Sequence, residues 1–415
     1  MIFLLIFSFL LSPAITNPSA DSAKTIAYVN GNIWNGSSFI DKTLFVKDGH
    51  FVAEMVKPDS TVDLNGNYVI PPFAEAHNHA FTEERSTYVF ARENYIQNGV
   101  FYALNLTGPY TGAKRMKPQF INKKSLDVAH SYGGITFTGR HPAPAMERLY
   151  GEEDASVRWK LEGDAYWFMD TLSDVEQKWP DYIKQNPDVV KVYIIYSGGG
   201  EGRGECGYGL CPDVLKNVVK RAHEADKRVF AHVNTAEDVK LALKVGVDAL
   251  AHLPLGNDGI SYEESAPFTL DPETIAEIGN RNLVITPTAS LLAEDLESFR
   301  KDTLQKEINL QRKQLKELYE AGAKIALGSD GWSTNPLQEA RYLNAYEIFN
   351  NKTLLNIWTQ DTPKVIFPDR KIGKLQPGYE ASFLVLKNNP VENFEAIEKI
   401  LLSVKQGQIL QQVDK

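Results

Sequence analysis

Cysteine is scarce in this sequence: 415 residues hold two, Cys206 and Cys211, set in a glycine-rich stretch. Two thiols alone make a poor zinc site, and their separation is wider than the Cys-x-x-Cys of a redox motif. A local disulfide in an oxidising compartment and a pair of free thiols both stay open. Basic excess is missing as well, since 44 Lys and Arg face 53 Asp and Glu for a formal net charge of −9. A nucleic-acid binder needs a basic face to attract phosphates, and no such stripe occurs, so nucleic acid is excluded as a partner. With 43% hydrophobic and 23% charged residues, the composition fits neither a disordered chain nor a multi-pass membrane protein.

Charge is absent altogether from residues 1–20. An apolar run over residues 2–11, interrupted only by Ser8, precedes Pro13, Ala14 and Ala20. That run is shorter than the roughly 20 apolar residues of a spanning helix. It reads as a signal peptide for a secreted or periplasmic protein, cleaved near Ala14 to Ala20, with no stable membrane insertion afterwards. Asn35, Asn105 and Asn351 head Asn-x-Ser/Thr triplets, as chance allows in a chain of this length, and matter only in a glycosylating host.

What is present is a change of texture along the chain. Residues 25–29, 32–34, 38–46 and 50–56 have β character, and Asn30-Gly31, Asn35-Gly36 and Asn65-Gly66 are hairpin-type turn signals between them. The last 45 residues repeat it, with strands at 382–386, 400–404 and 408–413 around Gln406-Gly407. From about Val69 to Val365 strands alternate with helices, the pattern of a parallel sheet wrapped by crossover helices. Strands are expected at 101–105, 134–138, 189–195, 229–233, 249–251, 283–286 and 324–327, and the one ending at His77 makes eight. Val214, Leu215, Val218, Val219 and Ala222 share one helix face. Thr235 suits an N-cap for a helix that Gly246 stops, and the charged run 294–320 suits an outer helix. Eight βα units point to a (β/α)8 TIM barrel, an α/β fold.

In such a barrel the C-terminal strand ends converge on one mouth, so polar residues there meet in space. His77 and His79 follow an apolar segment two residues apart, a spacing that directs both side chains the same way; they are metal ligands or a satisfied polar pair. Lys191 sits inside DVVKVYII, where an ammonium must be paired, deprotonated or chemically converted, or else snorkel to the strand end. His232 and His252 each close an apolar strand in consecutive units. Asp330, in KIALGSDG, ends the eighth and is a candidate metal-bound carboxylate and catalytic proton acceptor. Gly202, Gly204 and Gly207 have dinucleotide-fingerprint spacing, but no helix opens at that loop, so a loop over the mouth is the better reading.

The set HNH at 77–79, Lys191, His232, His252 and SDG at 329–331, opened by YVIPPFAEAHNH, resembles the amidohydrolase superfamily. FAHVNTAEDVKLALKVGVDALAH is similar to the branch of imidazolonepropionase-like enzymes and metal-dependent dipeptidases. KIGKLQPGYEASFLVLKNNP and VKQGQIL resemble its closing β-segment. The resemblance implies a barrel over residues 71–365 with a small β-sandwich domain from residues 21–70 and 366–415. It also implies two divalent cations, commonly zinc, in a metal-dependent hydrolase of C–N bonds. His77, His79 and Asp330 would bind the more buried metal, His232 and His252 the more exposed one, and carboxylated Lys191 both.

The implied substrate is a small molecule: a dipeptide, an N-acyl amino acid or a cyclic amide. FTGRHPAPAMERLYG lacks the glycine-rich histidine motif of a typical dipeptidase of this branch, which leaves the substrate open. Arg140, His141, Tyr193 and Tyr196 lie where specificity groups sit, or are surface and packing residues. A deaminase is the nearest rival, although deaminases on this scaffold usually lack the strand-four lysine. A lactonase or phosphotriesterase would keep the same metals and change the electrophile, and a secreted binding protein would keep the site without turnover. A homo-oligomer is compatible with all of these.

Overall fold

The computed structural model describes residues 24–412 except 55–56, 83–86, 121–122, 151–160, 196–208, 255–267, 292–300 and 333. The expected leader, Tyr196, Cys206 and the glycines of the 202–207 loop lie outside the described residues.

Turn geometry decides where the first strands go. They are β1 (Ile26–Val29), β2 (Asn32–Trp34), β3 (Phe39–Asp41), β4 (Leu44–Lys47), β5 (His50–Val52), β6 (Ser60–Asp63) and β7 (Tyr68–Ile70). Of the three Asn-Gly pairs, Asn35-Gly36 alone closes a hairpin, between β2 and β3. Asn30-Gly31 and Asn65-Gly66 instead carry the chain from one sheet to another, because β1 and β6 belong to a four-stranded sheet and β2 and β7 to a six-stranded one. Their left-handed backbones, φ 57° at Asn30 and 52° at Asn65, suit any tight reversal, so the dipeptide specifies a turn and not a pairing. The single strand expected over 38–46 is broken in two, with β3 in one sheet and β4 in the other.

The chain next runs through β8 (Phe73–Asn78), β9 (Val100–Asn105), β10 (Asp127–His130), β11 (Gly134–Thr136), β12 (Tyr166–Phe168), β13 (Val190–Tyr193), β14 (Val229–His232), β15 (Ala249–Leu250), β16 (Val284–Ile285) and β17 (Lys324–Ile325). All eight expected strands lie within a few residues of observed ones, the third as β11; β10 and β12 are additions, both too short to show a period. All neighbours pair in parallel, in the orders β10-β9-β8 and β12-β11-β13-β14-β15-β16-β17. Hydrogen bonds join the two sheets at both ends. Ala76 N donates to Leu327 O at 2.7 Å and Asp330 N to His77 O at 2.7 Å, while Asp188 N donates to His130 O at 2.8 Å.

Between the strands, helix Pro212–Glu224 buries Val214, Leu215, Val218, Val219 and Ala222. Helix Ala236–Val245 opens on a capping box of Thr235 and Asp238 and stops at left-handed Gly246. Helix Lys301–Ala321 occupies the described part of the charged run.

The last strands, β18 (Phe383–Leu386), β19 (Ile400–Lys405) and β20 (Gln408–Gln412), complete the six-stranded sheet through β18 against β7. Tyr28, Val46 and Phe51 of the four-stranded sheet share a buried cluster with Val69, Phe383 and Val404 of the six-stranded one. A polar network ties this terminal module to β10. Asp127 accepts from Arg370 at 2.9 Å and from Lys405 at 2.6 Å, and Arg370 also pairs with Glu380 at 2.8 Å. Lys405 is fully buried, so removing its carboxylate strands a cation away from water. Asp127→Ala should therefore destabilise the protein by about 3 kcal/mol, read as a shift in the urea midpoint; an unshifted midpoint would show that the network holds nothing together.

Candidate metal centre

β8 is buried at every position, as expected of a strand covered on both faces, and carries Glu75 and His77 on one side with His79 just beyond. The segment after β17 can approach because residue 328 is glycine: a Cβ there would lie 2.6 Å from the Cβ of His77. Asp330 follows with φ 54°, a left-handed conformation that Asp tolerates better than most residues.

The contacts of these side chains select for a cation. Nδ1 of His79 lies 2.9 Å from the carbonyl oxygen of Thr107, which only accepts, so the proton of a neutral ring sits on Nδ1. Nε2 then presents a lone pair to Oδ1 of Asp330 at 2.8 Å. That same oxygen is 3.0 Å from Nε2 of His77, yet both ring nitrogens of His77 are buried without a hydrogen-bond partner among the described residues. Nδ1 of His252 is engaged by Thr288 Oγ1 at 2.9 Å, which leaves its Nε2 3.7 Å from Asp330 Oδ2. Ligand atoms of His77, His252 and Asp330 lie within 4.8 Å of one another. Converging lone pairs of this kind need a positive charge between them, and the N/O donor set suits a divalent metal.

Electrostatics keeps the donors in ligating form. Burial lowers His77 to about 4 and takes His232 and His252 well below the ordinary histidine value. Burial alone would raise Asp330, but His77 and His252 outweigh it and hold the carboxyl well below its usual range.

His232, at the end of β14, has its ring 4.5 Å from that of His252. Lys191, in β13, is 1% exposed. Among the described residues it has no salt-bridge partner, so it does not snorkel to an ion pair. Burial lowers it to about 7 against the opposing pull of Asp330.

The proposed substrate residues divide. His141 is exposed, with its ring 5.0 Å from His232 and 5.1 Å from Tyr193, which sets it at the edge of the centre. Arg140 is half-buried beside it. Tyr193 is 1% exposed and its hydroxyl already bonds Thr107 Oγ1 at 2.8 Å, so it is a wall that positions Thr107. Asn105 is likewise structural: it is fully buried and accepts from Phe81 N at 3.0 Å. Cys211 is disulfide-bonded, and Cys206 is the one other cysteine in the sequence.

Sequence reasoning passed over the supports. Glu75 accepts from His77 N at 2.9 Å and from Ser329 Oγ at 2.7 Å, bracing both arms of the centre, and burial raises it to about 8. Its signal was legible, for it is the charged residue in PPFAEAHNH, as Lys191 is in its own strand. Thr107 and Thr288, at φ 85° and 47°, hold the outer nitrogens of His79 and His252. A β-branched residue at positive φ is strained, and strain of this kind gathers at functional sites. No local pattern announces it.

The model of the Amidohydrolase family matches residues 198–410. An ochratoxinase of Aspergillus niger is 26% identical over 225 residues, covering 52% of this chain and 44% of its own length, so the match spans under half of that relative. The crystal structure of A. niger ochratoxinase superposes with a TM-score of 0.73 at 20% identity, covering 94% of this chain and 96% of that one. A Xaa-Pro dipeptidase with bound methionine in the active site gives 0.69 at 17% identity, covering 93% and 99%.

Proposed function

The chain belongs to the amidohydrolase family, and on that footing we propose that it is a metal-dependent hydrolase cleaving a C–N bond in a dipeptide, an N-acyl amino acid or a cyclic amide. The observation that carries this reading is the convergence of His77 Nε2 and His79 Nε2 on Asp330 Oδ1, with the His77 ring nitrogens lacking a hydrogen-bond partner among the described residues. The likeness to an ochratoxinase in sequence and to a Xaa-Pro dipeptidase in fold supports it.

The two parallel sheets are read as one (β/α)8 barrel over residues 71–365, in which β10 and β11 form a single bent strand. Residues 21–70 and 366–415 make a β-sandwich beside it. The hydrogen bonds at both seams support closure, and closure puts every strand end on one mouth. His77, His79 and Asp330 would hold one divalent cation, His232 and His252 a second, and Lys191, carboxylated on Nζ, both. Bound metal would supply a water of lowered pKa and a polarised carbonyl. Asp330 accepts the proton from the attacking water on a carboxylate oxygen and returns it to the leaving nitrogen. The disulfide at Cys211 supports export to an oxidising compartment.

Metal analysis of purified protein should find about two divalent ions per chain, zinc being the best match to these donors. A panel of dipeptides, acyl-amino acids, cyclic amides, lactones, phosphotriesters and deamination substrates should show metal-dependent amide cleavage. Ammonia release without amide cleavage would move the assignment to a deaminase, and lack of any metal-dependent turnover would overturn it.

A further inference from the structure

We propose that the site takes amides with a planar aromatic group on one side of the scissile bond, and that Trp332 is the residue that selects it. This rests on the hydrolase reading above. Trp332 follows Gly331 directly after the candidate ligand Asp330, and its ring stacks on His79 with centroids 4.9 Å apart and planes 23° apart. One indole face is thus covered by a metal-ligand candidate, yet the residue is still 37% exposed. Tyr150 stands 6.2 Å from it with its plane turned by 57°, which makes a corner and not a flat patch.

Both walls of the corner are fixed before anything binds. Tyr150 OH meets Thr82 Oγ1 at 2.7 Å. The backbone at Trp332 is held by His79 N donating to Gly331 O at 2.9 Å, and by Tyr95 OH donating to Thr334 O at 2.9 Å. An exposed aromatic costs solvation, and one that is already immobilised binds a second ring with little further loss of entropy. The corner has aromatic faces on two sides and a histidine of the centre behind it. Its complement is a flat π-system presented edge or face to the indole and joined to the group being cleaved. A small aliphatic substituent would leave the indole face wet.

The test uses two matched pairs, N-benzoylglycine against N-acetylglycine and N-acetylphenylalanine against N-acetylalanine, with full-length protein, Trp332→Ala and Trp332→Phe. Calorimetric Kd and KM are both read, with metal content measured on each variant. In at least one pair the aromatic member should bind about tenfold more tightly, the scale of a good aromatic contact. Trp332→Ala should collapse that ratio toward one while Trp332→Phe keeps most of it. Equal binding within both pairs would overturn the proposal. So would a Trp332→Ala variant that weakens both members alike, because the indole would then serve only to support His79. Preferential aromatic binding without turnover would keep the corner and discard the hydrolase reading.

Discussion

Lys191→Ala should drop the metal content from about two ions per chain and cut turnover by on the order of 10²–10³-fold. The lysine is buried in β13, between β11 and the strand β14 that ends in His232, and among the described residues no carboxylate forms a salt bridge with it. An unpaired ammonium among histidine donors would repel a metal. Carboxylation of Nζ by carbon dioxide would reverse its charge and make it an oxygen ligand for the proposed metals. The alanine variant leaves a gap of matching shape, so a short carboxylic acid added to the solution should restore part of both metal content and activity. A lysine serving only to fill the core would give a destabilised protein that no carboxylic acid repairs. Two metals and near-normal turnover in Lys191→Ala would show that the residue is no ligand.

Asp330→Asn should reduce kcat by about 10³-fold, within the range of a lost proton-transfer group, while much of the metal stays bound. The amide keeps an oxygen to ligate but cannot accept the proton. The backbone makes this substitution clean, because φ is 54° and Asn tolerates the left-handed region at least as well as Asp. Any loss can then be assigned to chemistry and not to strain. Metal retention is the reading that separates roles: if metal disappears together with activity, Asp330 is chiefly a ligand, and another group must carry the proton.

The eight central strands were legible because parallel strands buried on both faces read as short apolar runs, and each candidate ligand histidine sits where such a run stops. Helix Ala236–Val245 could be bounded to the residue, since Thr235 and Gly246 act on their own turns. The terminal module was legible as β-rich but not in its pairing. Asn30-Gly31 and Asn65-Gly66 fix a reversal of the backbone, and which sheet receives the next strand depends on partners far away, such as β18 for β7. For Tyr193 the sequence left a substrate group and a packing residue both open; its hydroxyl is spent on Thr107, 86 residues distant in sequence.

By itself, then, the sequence determined which candidate donors exist and that they stand at strand ends: His77, His79, His232, His252 and Asp330, with Lys191 inside a strand. These are local facts, set by apolar runs and side-chain alternation. Only the tertiary structure decided that His79 and Asp330, 251 residues apart, touch, that Lys191 lacks an ion-pair partner among the described residues, that Glu75 braces Ser329, and that Trp332 lies open on His79. The physical reason is that hydrogen bonds, burial and stacking depend on distances between atoms, and those distances are set when β8 meets the segment after β17, a closure that no single stretch of the chain encodes.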